Sequence, residues 1–126
     1  MITTIYSKGA VALFFTFFIS VSPKITVERS EVVIKMQSRV VLRCSAVGVP
    51  PPRIHWFKNQ KKLNQSGRVR INGDGSLVIN NPIAQDVGIY ECVAVSSAGS
   101  TSGQIEIKLP SKKQRDIFTF LNNVCT

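Results

Sequence analysis

The chain has one histidine, one tryptophan and only seven acidic residues among its 126. With a single imidazole, at His55, and no acid close to it in the sequence, there is little from which to build a Ser/His/Asp or Cys/His catalytic group. Metal-ligand spacings of Cys and His, a nucleophile elbow and a Gly-rich phosphate loop are all missing. These shortages point away from an enzyme and imply neither a metal nor a cofactor. Long apolar runs are scarce as well. The stretch 9–21 (GAVALFFTFFISV) has 13 residues without a charge, whereas a helix that spans a bilayer needs roughly 20. Before residue 111, no stretch of ten or more residues shows a helical period.

The 13-residue run has the length of a signal-peptide core, and residues 1–8 ahead of it carry one positive charge, Lys8. Ser20 and Ser22 supply small residues at the spacing a signal peptidase reads, while Pro23 disfavours a cut directly before it. Residues 1–22 are therefore expected to be a leader, with an uncleaved hydrophobic segment as the alternative and membrane association expected only in that case. A leader places the mature chain outside the cell, in an oxidising compartment where cysteines can pair. The formal charge is +9, and residues 23–110 hold 12 basic and 6 acidic residues, leaving +6. Such an excess favours acidic partners, which outside a cell means sulfated polysaccharide rather than nucleic acid.

From Lys24 onward, short β-rich runs alternate with turn residues. Strands are expected near 24–29, 32–36, 39–46, 53–58, 68–71, 76–80, 88–95 and 103–109, with turns at GVPPP (48–52), KNQKK (58–62), NGDG (72–75) and SSAGS (96–100). Successive side chains on a strand point to opposite faces. Parity accordingly groups Val40, Leu42, Cys44 and Ala46; Ile54 and Trp56; Leu77 and Ile79; Tyr90, Cys92 and Ala94; and Ile105, Ile107 and Leu109 into one core. No internal repeat is visible, so residues 23–110 form one module.

Cys44, Trp56 twelve residues later, and Asp86-x-Gly88-x-Tyr90-x-Cys92 together resemble an immunoglobulin domain. The segments VVLRCSAVGVPPPRIHWFK (40–58) and GSLVINNPIAQDVGIYECVAVSSAG (75–99) are similar to the I-set of that superfamily, although Ser96 stands where many members carry Asn. The resemblance implies an all-β, Greek-key immunoglobulin-like β-sandwich with one inter-sheet disulfide, Cys44–Cys92, packed against Trp56. It also implies a core signature of Trp56, Leu77, Asp86, Gly88 and Tyr90, with the Tyr90 hydroxyl bonded to upstream backbone, and a salt bridge between Arg68 and Asp86. I-set domains populate adhesion receptors and extracellular matrix proteins. The implied function is therefore non-catalytic recognition of an extracellular or cell-surface protein, including a second copy of the chain.

Two surfaces are candidates for binding. Arg53, Lys58, Lys61, Lys62, Arg68 and Arg70 lie in neighbouring segments that folding could gather into one basic area for a sulfated glycosaminoglycan such as heparin. Outward parity places His55, Phe57, Ile89, Glu91, Val93 and Val95 on the opposite face from Trp56 and Cys92, as an apolar patch rimmed by Arg53, Glu91, Glu106 and Lys108. Asn64-Gln65-Ser66 is a glycosylation sequon in a polar loop, and Asn123-Val124-Cys125 is the rare cysteine form. Residues 111–126 begin with basic residues and continue with Ile117, Phe118, Phe120, Leu121 and Val124, a pattern compatible with disorder or a short amphipathic helix. Pairing of the two central cysteines leaves Cys125 over: a link to a second chain, a free thiol, or a residue beside the cut end of a longer protein.

Overall fold

A computed structural model of the chain describes residues 2–8, 11–17, 19–35 and 38–111. The expected tail helix and Cys125 lie outside the described residues. The first two strands, β1 (Ile2–Lys8) and β2 (Val11–Phe17), pair antiparallel with Ile2 opposite Phe17. Among the described residues no helix is long and apolar enough to cross a membrane.

The remaining strands are β3 (Val21–Val27), β4 (Glu31–Val33), β5 (Val40–Leu42), β6 (Cys44–Val49), β7 (Arg53–Lys58), β8 (Lys61–Lys62), β9 (Val69–Ile71), β10 (Leu77–Ile79), β11 (Gly88–Ser96) and β12 (Gly99–Lys108). One layer is a five-stranded sheet in the order β4-β12-β11-β7-β8, where only the β4–β12 pairing is parallel. Facing it, β5-β10-β9 form a three-stranded sheet. The β3–β6 pair extends this second layer, because β5 and β6 are two parts of one run separated only by Arg43. The fold is the all-β immunoglobulin-like sandwich that the family resemblance implied.

The core follows from alternation. Trp56, Tyr90, Leu42, Leu77, Ile79, Ile105, Ile107 and Cys92 are fully buried. The Cys44–Cys92 disulfide joins the layers with its Cα atoms 6.6 Å apart. Closing its span of 48 residues constrains the unfolded chain by about 4 kcal/mol in the chain-entropy account. Trp56 lies on β7 directly opposite Cys92 on β11, and its indole N–H donates to the Gly75 carbonyl at 2.7 Å. That bond ties the five-stranded sheet to the NGDG turn of the other layer. The turn itself is closed by Asn72 N–H to the Ser76 carbonyl and Gly75 N–H to the Asn72 carbonyl.

Several boundaries differ from the sequence expectation. β3 begins at Val21 and accommodates Pro23, which lacks a ladder N–H, through a register shift between Val21 and Lys24. The strand thus runs back over Val21 and Ser22, within the segment read above as a leader, and the Ser22 hydroxyl donates to the Ala98 carbonyl at 3.3 Å. Lys61 and Lys62, expected in a turn, form β8: Asn59 and Gln60 take positive φ (47° and 70°) and reverse the chain in two residues. Leu109 was expected in the core, but β12 ends at Lys108, so alternation stops and Leu109 turns outward. Buried Pro110 lies beside it. A 3-10 turn at Ala84–Asp86, which no periodic pattern announces, precedes β11.

Candidate functional site

Two groups of candidate residues separate in space: one locks an end of the sandwich, and the other lies on the outer face of the five-stranded sheet. At the end, Ala84–Asp86 turns the chain so that Asp86 is buried. Its carboxylate accepts from Arg68 at 3.0 and 3.3 Å, and from the Ile83 N–H at 2.8 Å. Burial alone would raise the Asp86 pKa. The Arg68 guanidinium and the Ile83 N–H outweigh it and hold the carboxyl below its ordinary value. The Tyr90 hydroxyl donates to the Asp86 carbonyl at 2.7 Å, the upstream backbone bond that the resemblance implied. Burial pushes the Tyr90 phenol up to about 12, with the nearby Asp86 charge adding to the shift.

Gly88 opens β11 at a φ of 148°, and a β-carbon there would sit 3.0 Å from the Asn59 side-chain oxygen. That oxygen accepts the Ile89 N–H at 3.3 Å and pins the β7–β8 turn to β11. The core-signature residues Trp56, Leu77, Asp86, Gly88 and Tyr90 are therefore packing and corner residues.

On the outer face, the register sets side chains from four strands in transverse rows. Lys62, Phe57, Glu91 and Gln104 form one row across β8, β7, β11 and β12. His55, Val93 and Ser102 form the next, and Arg53, Val95 and Ser100 a third. Ile89, opposite Glu106, is 47% exposed. His55, Phe57, Ile89, Glu91 and Val93 do share one face. Glu91, however, was expected on the rim and stands in the centre, directly opposite Phe57, where it accepts from Gln104 at 3.4 Å. Phe57, Gln60, Glu91 and Val93 line a shallow depression there, so the apolar surface is bisected by a carboxylate. The reason is register: Phe57 meets Val93 and Ile89 only diagonally. At one margin Lys108 pairs with Glu31 at 2.8 Å and with Glu106 at 3.6 Å.

The six cations expected to form one basic area are not gathered. Arg53 starts β7 and Lys58 ends it. Lys58, which shares the inward parity of Trp56, donates to the Gln85 carbonyl, and its ammonium lies 5.6 Å from the Tyr90 ring centre. Arg68 is committed to Asp86. Arg70 belongs to the opposite layer, across from Val78. Lys61 and Lys62 remain exposed on the edge strand β8. Asn64 is exposed in the loop between β8 and β9, whose neighbours are tied back: Gln65 accepts the Ile71 N–H at 3.1 Å and Ser66 the Val69 N–H at 3.2 Å. A second cationic group went unnoticed in the sequence: Arg29, Lys35, Arg39 and Arg43 around a groove of about 340 Å³. The signal available was the even spacing of Arg39 and Arg43, which puts both on one face of a strand. Among the described residues there is no group of three or more His, Cys, Asp or Glu side chains that could hold a metal ion.

The immunoglobulin I-set domain model matches residues 23–109. The chain belongs to the immunoglobulin I-set family. Human hemicentin-1 is 36% identical over 100 residues, which is 79% of this chain and 2% of that protein. The mouse basement membrane-specific heparan sulfate proteoglycan core protein is 38% identical over 90 residues, covering 71% of this chain and 2% of its own length. The solved tandem Ig repeats of Dlar superpose with a TM-score of 0.61 at 36% identity, over 70% of this chain and 49% of that one. This I-set domain thus spans a small fraction of the curated relatives it matches.

Proposed function

We propose that this I-set domain is a non-catalytic extracellular recognition module of matrix or adhesion type, secreted after loss of a leader cut within residues 1–22 and glycosylated at Asn64. It engages protein partners, a second copy of the chain included, through the outer face of the five-stranded sheet. The observation that carries this reading is the placement of His55, Phe57, Ile89, Glu91 and Val93 on one face that no described strand covers, with Lys62 beside Phe57. An apolar centre containing one charge and edged by others suits a specific, non-obligate interface. Family membership supports it, as does a relative named for basement membrane.

Beads coated with the protein should cluster, and beads coated with Phe57→Asp should not, while the variant melts within a few degrees of the parent. Equal clustering overturns the assignment of the face. A large drop in melting temperature shows instead that Phe57 is a core residue.

Exposure of Lys61 and Lys62, which make no ion pair among the described residues, supports a second reading, in which a sulfated glycosaminoglycan binds at the β8 edge. Elution from heparin should then move to lower salt in the double alanine variant of these lysines. Unchanged elution removes this site.

A further inference from the structure

The fold gathers cations from three segments around one groove. β3 runs alongside β6 as far as Glu28, whose N–H donates to the Arg43 carbonyl at 3.3 Å, and the chain then crosses to the other sheet, where β4 pairs with β12. Beside this crossing lies the groove of about 340 Å³, lined by Arg29 ahead of β4, Lys35 after it, and Arg39 and Arg43 at the two ends of β5. Among the described residues that line it, Glu28 alone is acidic. Arg29, Lys35 and Arg39 make no ion pair among the described residues. Arg43 reaches Glu28 at 3.5 Å and Asp74 at 3.9 Å, with all three side chains more than half exposed. Exposed pairs of this kind hold their partners weakly, so Arg43 can turn to a stronger anion.

The chemistry of the walls selects the ligand. A strand advances about 3.3 Å per residue, so Arg39 and Arg43 stand roughly 13 Å apart along β5. A single sulfate would have to draw both long side chains together, whereas a chain carrying anions at intervals meets them where they stand. Three of the four cations are arginines, whose planar forks match the oxygens of a tetrahedral anion. Val32, Val40, Leu42 and Ile105 make the apolar lining, with no aromatic ring among the described lining residues. Bases of single-stranded nucleic acid are held by stacking on such rings, a platform this groove lacks. A sulfated polysaccharide needs none, because ion pairs and released counterions carry its binding. Since the Arg43 carbonyl points to β3, alternation turns the Val41 N–H and carbonyl to the same side, where they offer a donor and an acceptor to sugar hydroxyls.

We propose that this groove binds a sulfated glycosaminoglycan, whose sulfates pair with Arg29, Lys35, Arg39 and Arg43 and whose hydroxyls meet the Val41 main chain. The proposal rests on the reading of the domain as extracellular, and it uses the β4 margin of the five-stranded sheet, at the far side from β8.

The probe is a heparin octasaccharide titrated into the full chain, and the controls are the desulfated octasaccharide and a single-stranded DNA of about eight nucleotides. Amide signals of Val40–Leu42 should shift with the heparin octasaccharide. Arg29→Gln combined with Arg39→Gln should weaken binding about tenfold at physiological salt and lower the slope of log affinity against log salt by about two. Both residues are exposed, so an unchanged melting temperature shows that the variant is folded. In Lys61→Ala combined with Lys62→Ala the shifts at Val40–Leu42 should persist, so this site and the β8 edge fail separately. Secretion tests the extracellular reading, and binding by the purified chain tests this one. No binding at millimolar octasaccharide overturns the proposal, as does equal affinity in the arginine variant or for the desulfated sugar. DNA bound as tightly as the octasaccharide overturns it in favour of a general polyanion surface, and shifts confined to Lys61 and Lys62 overturn it in favour of the β8 edge.

Discussion

Replacing Tyr90 by Phe removes one hydroxyl from a side chain that is only 2% exposed and leaves its ring in place. The lost bond, 2.7 Å to the Asp86 carbonyl, also leaves that buried acceptor with one partner fewer. A net hydrogen bond of this kind is worth about 1.5 kcal/mol at neutral pH. In a domain of this size that lowers the melting temperature by roughly 6–12 °C. The pH dependence is the sharper test. The phenol is pushed up to about 12 in the folded protein, against an unfolded value of about 10. A raised pKa means that the stability is fully present below the unfolded value and is lost as pH rises towards the folded one. From pH 8 to pH 11 the parent should lose about 1 kcal/mol that Tyr90→Phe does not lose, allowing for partial hydration at the hydroxyl end. Urea melts of both proteins at pH 7, 9, 10 and 11 should therefore show a gap of about 1.5 kcal/mol shrinking to about a third of that. A gap that stays constant through pH 11 refutes the buried, bonded phenol.

Asp86→Asn should cost about 2 kcal/mol at neutral pH, because the amide accepts from Arg68 and Ile83 more weakly than the carboxylate. The Asp86 pKa is depressed, so its stabilisation is present above the unfolded value of about 4 and lost as pH falls below it. Acid titration of stability below pH 4 should be shallower in the variant, and equal slopes would refute the pairing. Gly103, opposite Cys92, faces β3 so closely that a β-carbon would lie 2.5 Å from Val27 and 3.0 Å from Ile25. Gly103→Val should destabilise by about 2–3 kcal/mol through overpacking in a chemical denaturation curve, and a neutral result would mean that β3 does not cross there. For Asn64→Gln, secretion from a eukaryotic host should yield a protein lighter by one glycan in intact-mass measurement, and equal carbohydrate content in both proteins would remove the site.

Local chemistry made much of the sandwich legible. Alternation of side chains is a covalent property of any extended strand, so Val40, Leu42 and Cys44, then Trp56, then Tyr90, Cys92, Ile105 and Ile107 could be assigned inward without knowing their partners. The same rule failed at Leu109 because the strand ended, and strand ends depend on what a neighbour offers to pair with. Asn72–Gly75 announced a turn by residue type, whereas the tight turn at Asn59 and Gln60 has no glycine to betray its positive φ. The Arg68–Asp86 pair came from family resemblance, since nothing in the spacing of 18 residues brings them together.

What only the tertiary structure decided is register and layer exchange. Glu91 opposite Phe57, rather than at the rim, follows from how β7 slides against β11, and a period of two is blind to a slide of two residues. Lys58 looks like a free cation in the sequence, but the corner built around Asp86 and Tyr90 engages it. Arg39 and Arg43 come to line one groove because β3 leaves its layer after Glu28. That departure is a choice between two sheets competing for the same segment, and it is settled by packing energies summed over both layers and by no residue alone.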